Sequence, residues 1–123
     1  MKQIVVCLFL ALVLQGCITL IPQRETRYET SSVAIKDIEL AQDINCELPT
    51  GQKHVLAKGS RWQPYGRTLE GTVYKPTNHT LKIADVEEYT AYLVISGAEL
   101  LGFFLPDNRS FAPLSHTQQI VLK

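Results

Sequence analysis

The chain has 123 residues, which is enough for a single domain with one hydrophobic core. Twelve basic and twelve acidic residues cancel, so overall charge does not favour nucleic acid as a partner. Hydrophobic residues make up 46% of the chain, which excludes the composition of a disordered protein.

The N-terminus has the pattern of a secretory leader. Lys2 supplies a positive charge, and residues 4–14 form an uncharged apolar run of the length found in signal peptides. An uncleaved membrane helix over residues 4–21 is the first alternative, since eighteen uncharged residues just suffice to span a bilayer. Gln15 and Gly16 interrupt that helix, so the pattern favours a leader that is removed.

The apolar run is followed by four residues that resemble the lipobox of bacterial lipoproteins: Leu14, Gln15, Gly16 and Cys17. This resemblance implies that diacylglycerol alkylates the Cys17 thiol and that signal peptidase II cleaves just before it. We therefore expect a signal peptide over residues 1–16 and membrane attachment through acyl chains such as palmitate. Gln15 departs from the usual Ala, Ser or Thr, so an ordinary signal peptide cut elsewhere is the second alternative.

The residue after Cys17 is informative about the membrane in which the protein is anchored. In lipoproteins the inner-membrane retention signal at this place is usually Asp, whereas this chain has Ile18. The resemblance thus implies the outer membrane of a two-membrane bacterium, on its periplasmic side. With Cys7 removed and Cys17 acylated, Cys46 has no partner for an intramolecular disulfide.

Residues 17–32 are predicted to comprise the lipidated cysteine and a tether. Residues 19–32 contain a proline and charges of both signs, and they follow neither the helical nor the strand period. A flexible coil of this length would hold the domain about 20 Å from the lipid.

Residues 33–123 are predicted to form one small all-β domain. Over residues 38–48 the apolar side chains alternate with polar ones, which predicts a half-buried strand with a break near Gln42. The apolar face of this strand comprises Ile38, Leu40, Ile44, Cys46 and Leu48. A helix over residues 35–44 competes for the first half, but the alternation continues beyond it.

Turn residues divide the rest of the domain into short strands. These are predicted at 53–58, 59–67, 72–75, 79–84, 89–95 and 99–105, with short extended pieces up to the last residue. Pro64 and Gly66 indicate a bulge or an edge. Strands of this number and spacing are typical of a small barrel or sandwich. The glycines and aromatics from Lys58-Gly59 and Trp62 to residues 71–74 (GTVY) resemble SH3-like barrels, over less than a third of the chain.

No catalytic motif is evident, so we expect neither an enzyme nor a cofactor. His54, His79 and His116 are far apart and lack the spacing of metal ligands, and exposed histidines are the better interpretation. Cys46 lies on the apolar side of its strand, which favours a buried structural residue over a nucleophile.

Two stretches are candidates for binding. Residues 53–82 contain six basic residues against Glu70 alone, interleaved with aromatics that can stack on an anionic polymer. The alternative is a solvated basic face that pairs with acidic neighbours. Residues 89–105 form a hairpin that is apolar on both faces, so one face is either central or covered by a partner. The candidate binding residues are Arg61, Trp62, Tyr65, Arg67, Tyr74, Lys75, Phe103 and Phe104.

Together these patterns predict a lipid-anchored envelope protein that acts as a non-catalytic binding or accessory subunit of an envelope assembly. Its expected partners are the membrane and an envelope protein that contacts the outward-facing member of Phe103 and Phe104. A glycan- or polyanion-binding module using residues 53–82 is one alternative. An inhibitor of cell-wall hydrolases that inserts the loop 107–110 is another.

Overall fold

The computed structural model describes residues 20–30, 36–84 and 88–123, so Cys17 and the predicted signal peptide lie outside the described residues. The described chain is built of β-strands and turns, without a helix, which confirms the all-β fold class. In chain order the strands are β1 (Arg24–Glu25), β2 (Ile38–Glu39), β3 (Ile44–Glu47), β4 (Lys53–Leu56), β5 (Arg61–Arg67), β6 (Thr72–Pro76), β7 (Lys82–Ala84), β8 (Glu88–Thr90), β9 (Tyr92–Ser96), β10 (Glu99–Leu105) and β11 (Ser110–Gln119). Within these residues no helix has the length and apolarity needed to cross a membrane.

Seven strands form one antiparallel sheet in the order β1-β11-β10-β9-β6-β5-β2. Two smaller sheets are the hairpins β3–β4 and β7–β8. Gly51 and Gly97 lie in the turns after β3 and β9 with φ angles of 94° and 61°, a left-handed conformation that glycine adopts without strain. The predicted bulge in β5 is confirmed, because the register with β6 shifts between Pro64 and Gly66.

The strand predicted over residues 38–48 breaks where the sequence indicates. β2 ends at Glu39, the chain bends at Ala41 and Gln42, and β3 begins at Ile44. The two halves then join different sheets, since β2 pairs with β5 and β3 pairs with β4. The predicted short pieces at the end of the chain are instead one ten-residue strand, β11.

The main core lies on one face of the large sheet, beneath the hairpin β3–β4. Trp62, Leu93 and Phe103 of the sheet are buried there together with Cys46 and Leu48. Burial of such apolar side chains provides most of the stabilisation of a domain of this size.

The opposite face of the same sheet carries a second apolar cluster. Its buried members are Val73, Val94, Phe104 and Phe111, and its half-buried members are Tyr28, Tyr65, Tyr92 and Leu101. Adjacent residues of a strand point to opposite faces, so Phe103 enters the main core and Phe104 the second cluster. Both faces of the central strands are therefore covered.

Residues 20–30 pack on the domain and do not form the predicted tether. Strand β1 pairs with β11, and Glu29 exchanges two backbone hydrogen bonds of 2.8 Å with Arg67 of β5. Because β11 and β5 lie towards opposite sides of the sheet, this N-terminal segment links them and closes the strands into a barrel-like ring. The tether prediction is wrong for these residues because Ile21 and Thr26 are buried and give the segment a fixed place.

Candidate functional site

The structure divides the predicted binding residues between the two faces of the large sheet. The main core contains Trp62, Tyr74 and Phe103, whereas Tyr65, Lys75 and Phe104 meet on the opposite face. Phe103 and Phe104 are 0% and 1% exposed, so the prediction that one of them faces a partner is wrong. The reason is that each of the two faces is covered, one by β3–β4 and the other by the N-terminal segment.

Three tyrosines and Phe104 form a set of contacting rings, here called the tyrosine cluster (Tyr28, Tyr65, Tyr92 and Phe104). The ring of Tyr28 stacks on Tyr65 and Phe104, with centroid separations of 5.0 and 5.2 Å. The rings of Tyr65 and Tyr92 meet edge-on, with an interplanar angle of 70° and a centroid separation of 4.7 Å. The Tyr28 hydroxyl donates a 2.7 Å hydrogen bond to the Tyr65 carbonyl oxygen, which fixes the ring across the sheet. All three tyrosines are half-buried, so each is partly accessible to solvent.

Two cations lie over aromatic rings of the second apolar cluster. The Lys75 ammonium lies 5.8 Å from the centre of the Tyr65 ring, and the Arg24 guanidinium lies 5.1 Å from that of Phe111. Both distances are within the range of cation–π attraction. A phenol is already neutral at physiological pH, and burial, followed by the neighbouring Tyr65, raises the pKa of Tyr28 and Tyr92 further. The cluster thus offers neutral aromatic surface with hydroxyl groups and a cation at its border.

Gly66 allows the N-terminal segment to reach this position. A Cβ atom at Gly66 would overlap the Tyr28 ring and would lie 2.5 Å from the carbonyl oxygen of Glu29. Only glycine leaves room for a backbone to pass so closely over β5. The sequence indicated a bulge at Gly66, but it contained no signal for the segment that lies against it.

The basic residues of the stretch 53–82 are spread over three sheets. They lie on β4, β5, β6, β7 and the turn after β4, and these strands belong to three different sheets. Arg61 pairs with Glu39 at 3.1 Å and Lys82 pairs with Glu88 at 3.2 Å. This is the arrangement expected of a solvated face whose basic residues are offset by acidic neighbours.

A pocket of about 430 Å³ lies between the hairpin β3–β4 and the end of β11. Its lining residues are Asn45, Cys46, Glu47, Lys53, His54, Val55, His116 and Gln118. His54 and His116, which are far apart in the sequence, both line this pocket. His54 is half-buried rather than exposed, and burial lowers the pKa of its imidazole. Among the residues that the structure describes, no group of three or more His, Cys, Asp or Glu side chains could hold a metal ion.

No protein-family model, no curated protein and no solved structure matches this chain. The SH3-like resemblance therefore stays a prediction.

Cys46 lies in the wall of the pocket but faces the core. Its side chain is 1% exposed, and burial raises the pKa of the thiol to about 12. A thiol with this pKa remains protonated at neutral pH and is a poor nucleophile. The prediction that Cys46 is a buried residue is confirmed.

Replacing Cys46 by Ala is expected to lower the free energy of unfolding by about 1 kcal/mol, because it leaves a small cavity in the core. Urea denaturation of both proteins measures this difference. In the native protein, a bulky maleimide is expected to react with Cys46 only after denaturant is added. Rapid labelling of the folded protein would contradict the burial of the thiol.

Proposed function

We propose that this protein is an envelope lipoprotein anchored through Cys17, and that its domain acts without catalysis by binding a protein partner through the tyrosine cluster. The observation that supports binding is the half-buried position of Tyr28, Tyr65 and Tyr92, whose rings contact one another through Tyr65. Tyrosine provides a large apolar contact area with little side-chain entropy to lose, and its hydroxyl can pair with a partner. Such residues dominate the binding energy of many protein interfaces.

A protein partner fits the charges better than an anionic polymer does. Arg24, the cation above Phe111, also pairs with Glu70 at 3.3 Å, and Arg61 pairs with Glu39. A linear polyanion would have to compete with these carboxylates for scattered cations. The glycan or polyanion alternative therefore requires binding that weakens steeply as salt is raised.

Replacing Tyr92 by Ala is expected to weaken capture of the partner at least tenfold, as the loss of an interface hot spot does. The lipidated full-length protein would be extracted in mild detergent, and the envelope protein that copurifies with it in fixed ratio would be quantified. Replacing Val121 by Ala serves as the control, since this exposed side chain lies outside the cluster and should leave capture unchanged.

A second variant distinguishes a protein partner from an anionic polymer. Changing Arg61 and Arg67 to Glu reverses two charges of the basic stretch and is expected to leave protein capture nearly intact. Retention on an anionic resin that is strong at low salt, falls at high salt and disappears in this variant would establish the polyanion alternative instead.

Replacing Cys17 by Ala is expected to abolish incorporation of a fatty-acid probe and to leave the uncleaved precursor. The physical reason is that the acyl group is attached to the thiol, and signal peptidase II acts after that attachment. Gel mobility and probe labelling in the producing bacterium measure both effects. Processing of the variant to the mature size would show that an ordinary signal peptidase acts on the chain.

A further inference from the structure

The first buried residue of the domain lies close in sequence to the proposed lipid anchor. Ile21 is 2% exposed and belongs to the main core. Three residues separate it from Cys17. A fully extended chain advances at most about 3.6 Å per residue, so the Cα atoms of these two residues are at most about 14 Å apart. A connection of this length cannot hold the domain clear of the lipid headgroups.

We propose that the domain rests directly on phospholipid headgroups, through the surface formed by Leu20, the second half of β11 and the hairpin β3–β4. This inference rests on the lipid anchoring in the proposed function. The occupant of the surface is the membrane that holds the anchor, because the connection is too short for the anchor to reach past the domain.

The direction of β1 identifies the surface. Arg24 pairs with Phe111, and Glu25 pairs with Ser110, so the two strands are antiparallel. The pairing extends back only to Arg24, and its antiparallel direction points the residues before Arg24 towards the C-terminal half of β11. The hairpin β3–β4 lies beside that half, since both line the same pocket. The chain therefore leaves the domain towards Cys17 on this side.

The side chains of this surface suit a headgroup layer. Leu20 and Val55 are 60% and 62% exposed, so both apolar side chains can enter the boundary with the acyl chains. On β3 and β4 the exposed charges are Glu47 and Lys53, which offset each other. The second half of β11 adds uncharged polar residues and His116. Neither sign of charge is in excess, so the surface is not repelled by anionic lipid.

This orientation leaves the tyrosine cluster accessible to the proposed protein partner. The hairpin β3–β4 covers one face of the large sheet, and the tyrosine cluster lies on the other. A domain that rests on β3–β4 presents its tyrosines away from the bilayer.

The test measures the distance of two sites from the headgroups. An environment-sensitive fluorophore would be attached through Val55→Cys or, as the matched control, Leu69→Cys, each in lipidated full-length protein that also carries Cys46→Ala. Leu69 is 82% exposed and shares a small pocket with Arg27 and Glu29, at the other end of the N-terminal segment. The proteins would be reconstituted in vesicles of phosphatidylethanolamine and phosphatidylglycerol that contain a nitroxide-headgroup lipid. We expect the nitroxide to quench most of the emission at position 55 and little of that at position 69.

A second version of the experiment lengthens the connection between Cys17 and the domain. Inserting about twenty Gly and Ser residues after Thr19 should restore the emission at position 55, because a flexible linker of that length lets the domain leave the surface. Flotation with the vesicles should persist. Flotation without quenching at position 55, or equal quenching at both positions, overturns the docking alone. Failure of the original protein to float overturns the lipid anchor, and with it the proposed function.

Discussion

Replacing Phe103 by Ala is expected to lower the free energy of unfolding by about 3–5 kcal/mol, because it removes a fully buried ring and leaves a cavity. Domains of this size are stabilised by about 5–15 kcal/mol in total, so the variant should lose at least a fifth of its stability and unfold at a lower urea concentration. Urea denaturation followed by the fluorescence of Trp62, the one tryptophan of the chain, measures the loss. The buried indole changes its emission when it becomes exposed.

Leu69→Ala is the control for this measurement. Its side chain is 82% exposed at the tip of a turn, so the free energy of unfolding should change by no more than about 0.5 kcal/mol. If Phe103→Ala were as stable as this control, Phe103 would have to face solvent or a partner, which is one of the two orientations that the sequence left open.

Replacing Gly66 by Ala is expected to lower the free energy of unfolding by about 1–3 kcal/mol, the usual cost of forcing extra atoms into a packed site. The new methyl group meets the Tyr28 ring and the Glu29 carbonyl oxygen, and a backbone group cannot rotate away as a side chain can. The N-terminal segment should therefore detach from β5. Trypsin should then cleave after Arg24 and Arg27 faster than in the wild-type protein.

Gln63→Ala provides the matched control on the same strand, because it shortens a half-buried side chain without adding an atom near the segment. Its rate of cleavage by trypsin should equal that of the wild type. Slow cleavage in Gly66→Ala as well would mean that the segment does not depend on the space above Gly66.

The alternation of apolar and polar residues in the sequence predicted the strands that have one buried and one solvated face. Ile44, Cys46 and Leu48 face the core as expected, because a period of two places them on one side of β3. The same rule could not decide between Phe103 and Phe104. Where both faces are covered, apolar residues occupy successive positions, and the covering element is far away in sequence.

The sequence did not reveal that residues 20–30 cover one face of the large sheet. Residues 20–30 are mostly polar. Ile21 and Thr26 are buried, and Gln23 and Tyr28 are half-buried. Such a segment makes its contacts through backbone pairing and isolated side chains. Its sequence therefore lacks the regular spacing of apolar residues from which a strand or helix is predicted. The tyrosine cluster was missed for the same reason, since Tyr28 joins it from outside the predicted domain.

Closure of the ring by the N-terminal segment has a consequence for how the protein reaches its native state. The contacts that close it are among the most distant in the chain, as shown by the hydrogen bond from Asn108 to Gln23 across 85 positions. Contacts of high sequence separation form late, because the entropy of closing a long loop has to be overcome first. Until then β11, the longest strand of the sheet, has a free edge, and such edges pair readily with other chains. The interval before closure is therefore the period in which newly made molecules are most prone to aggregate with one another.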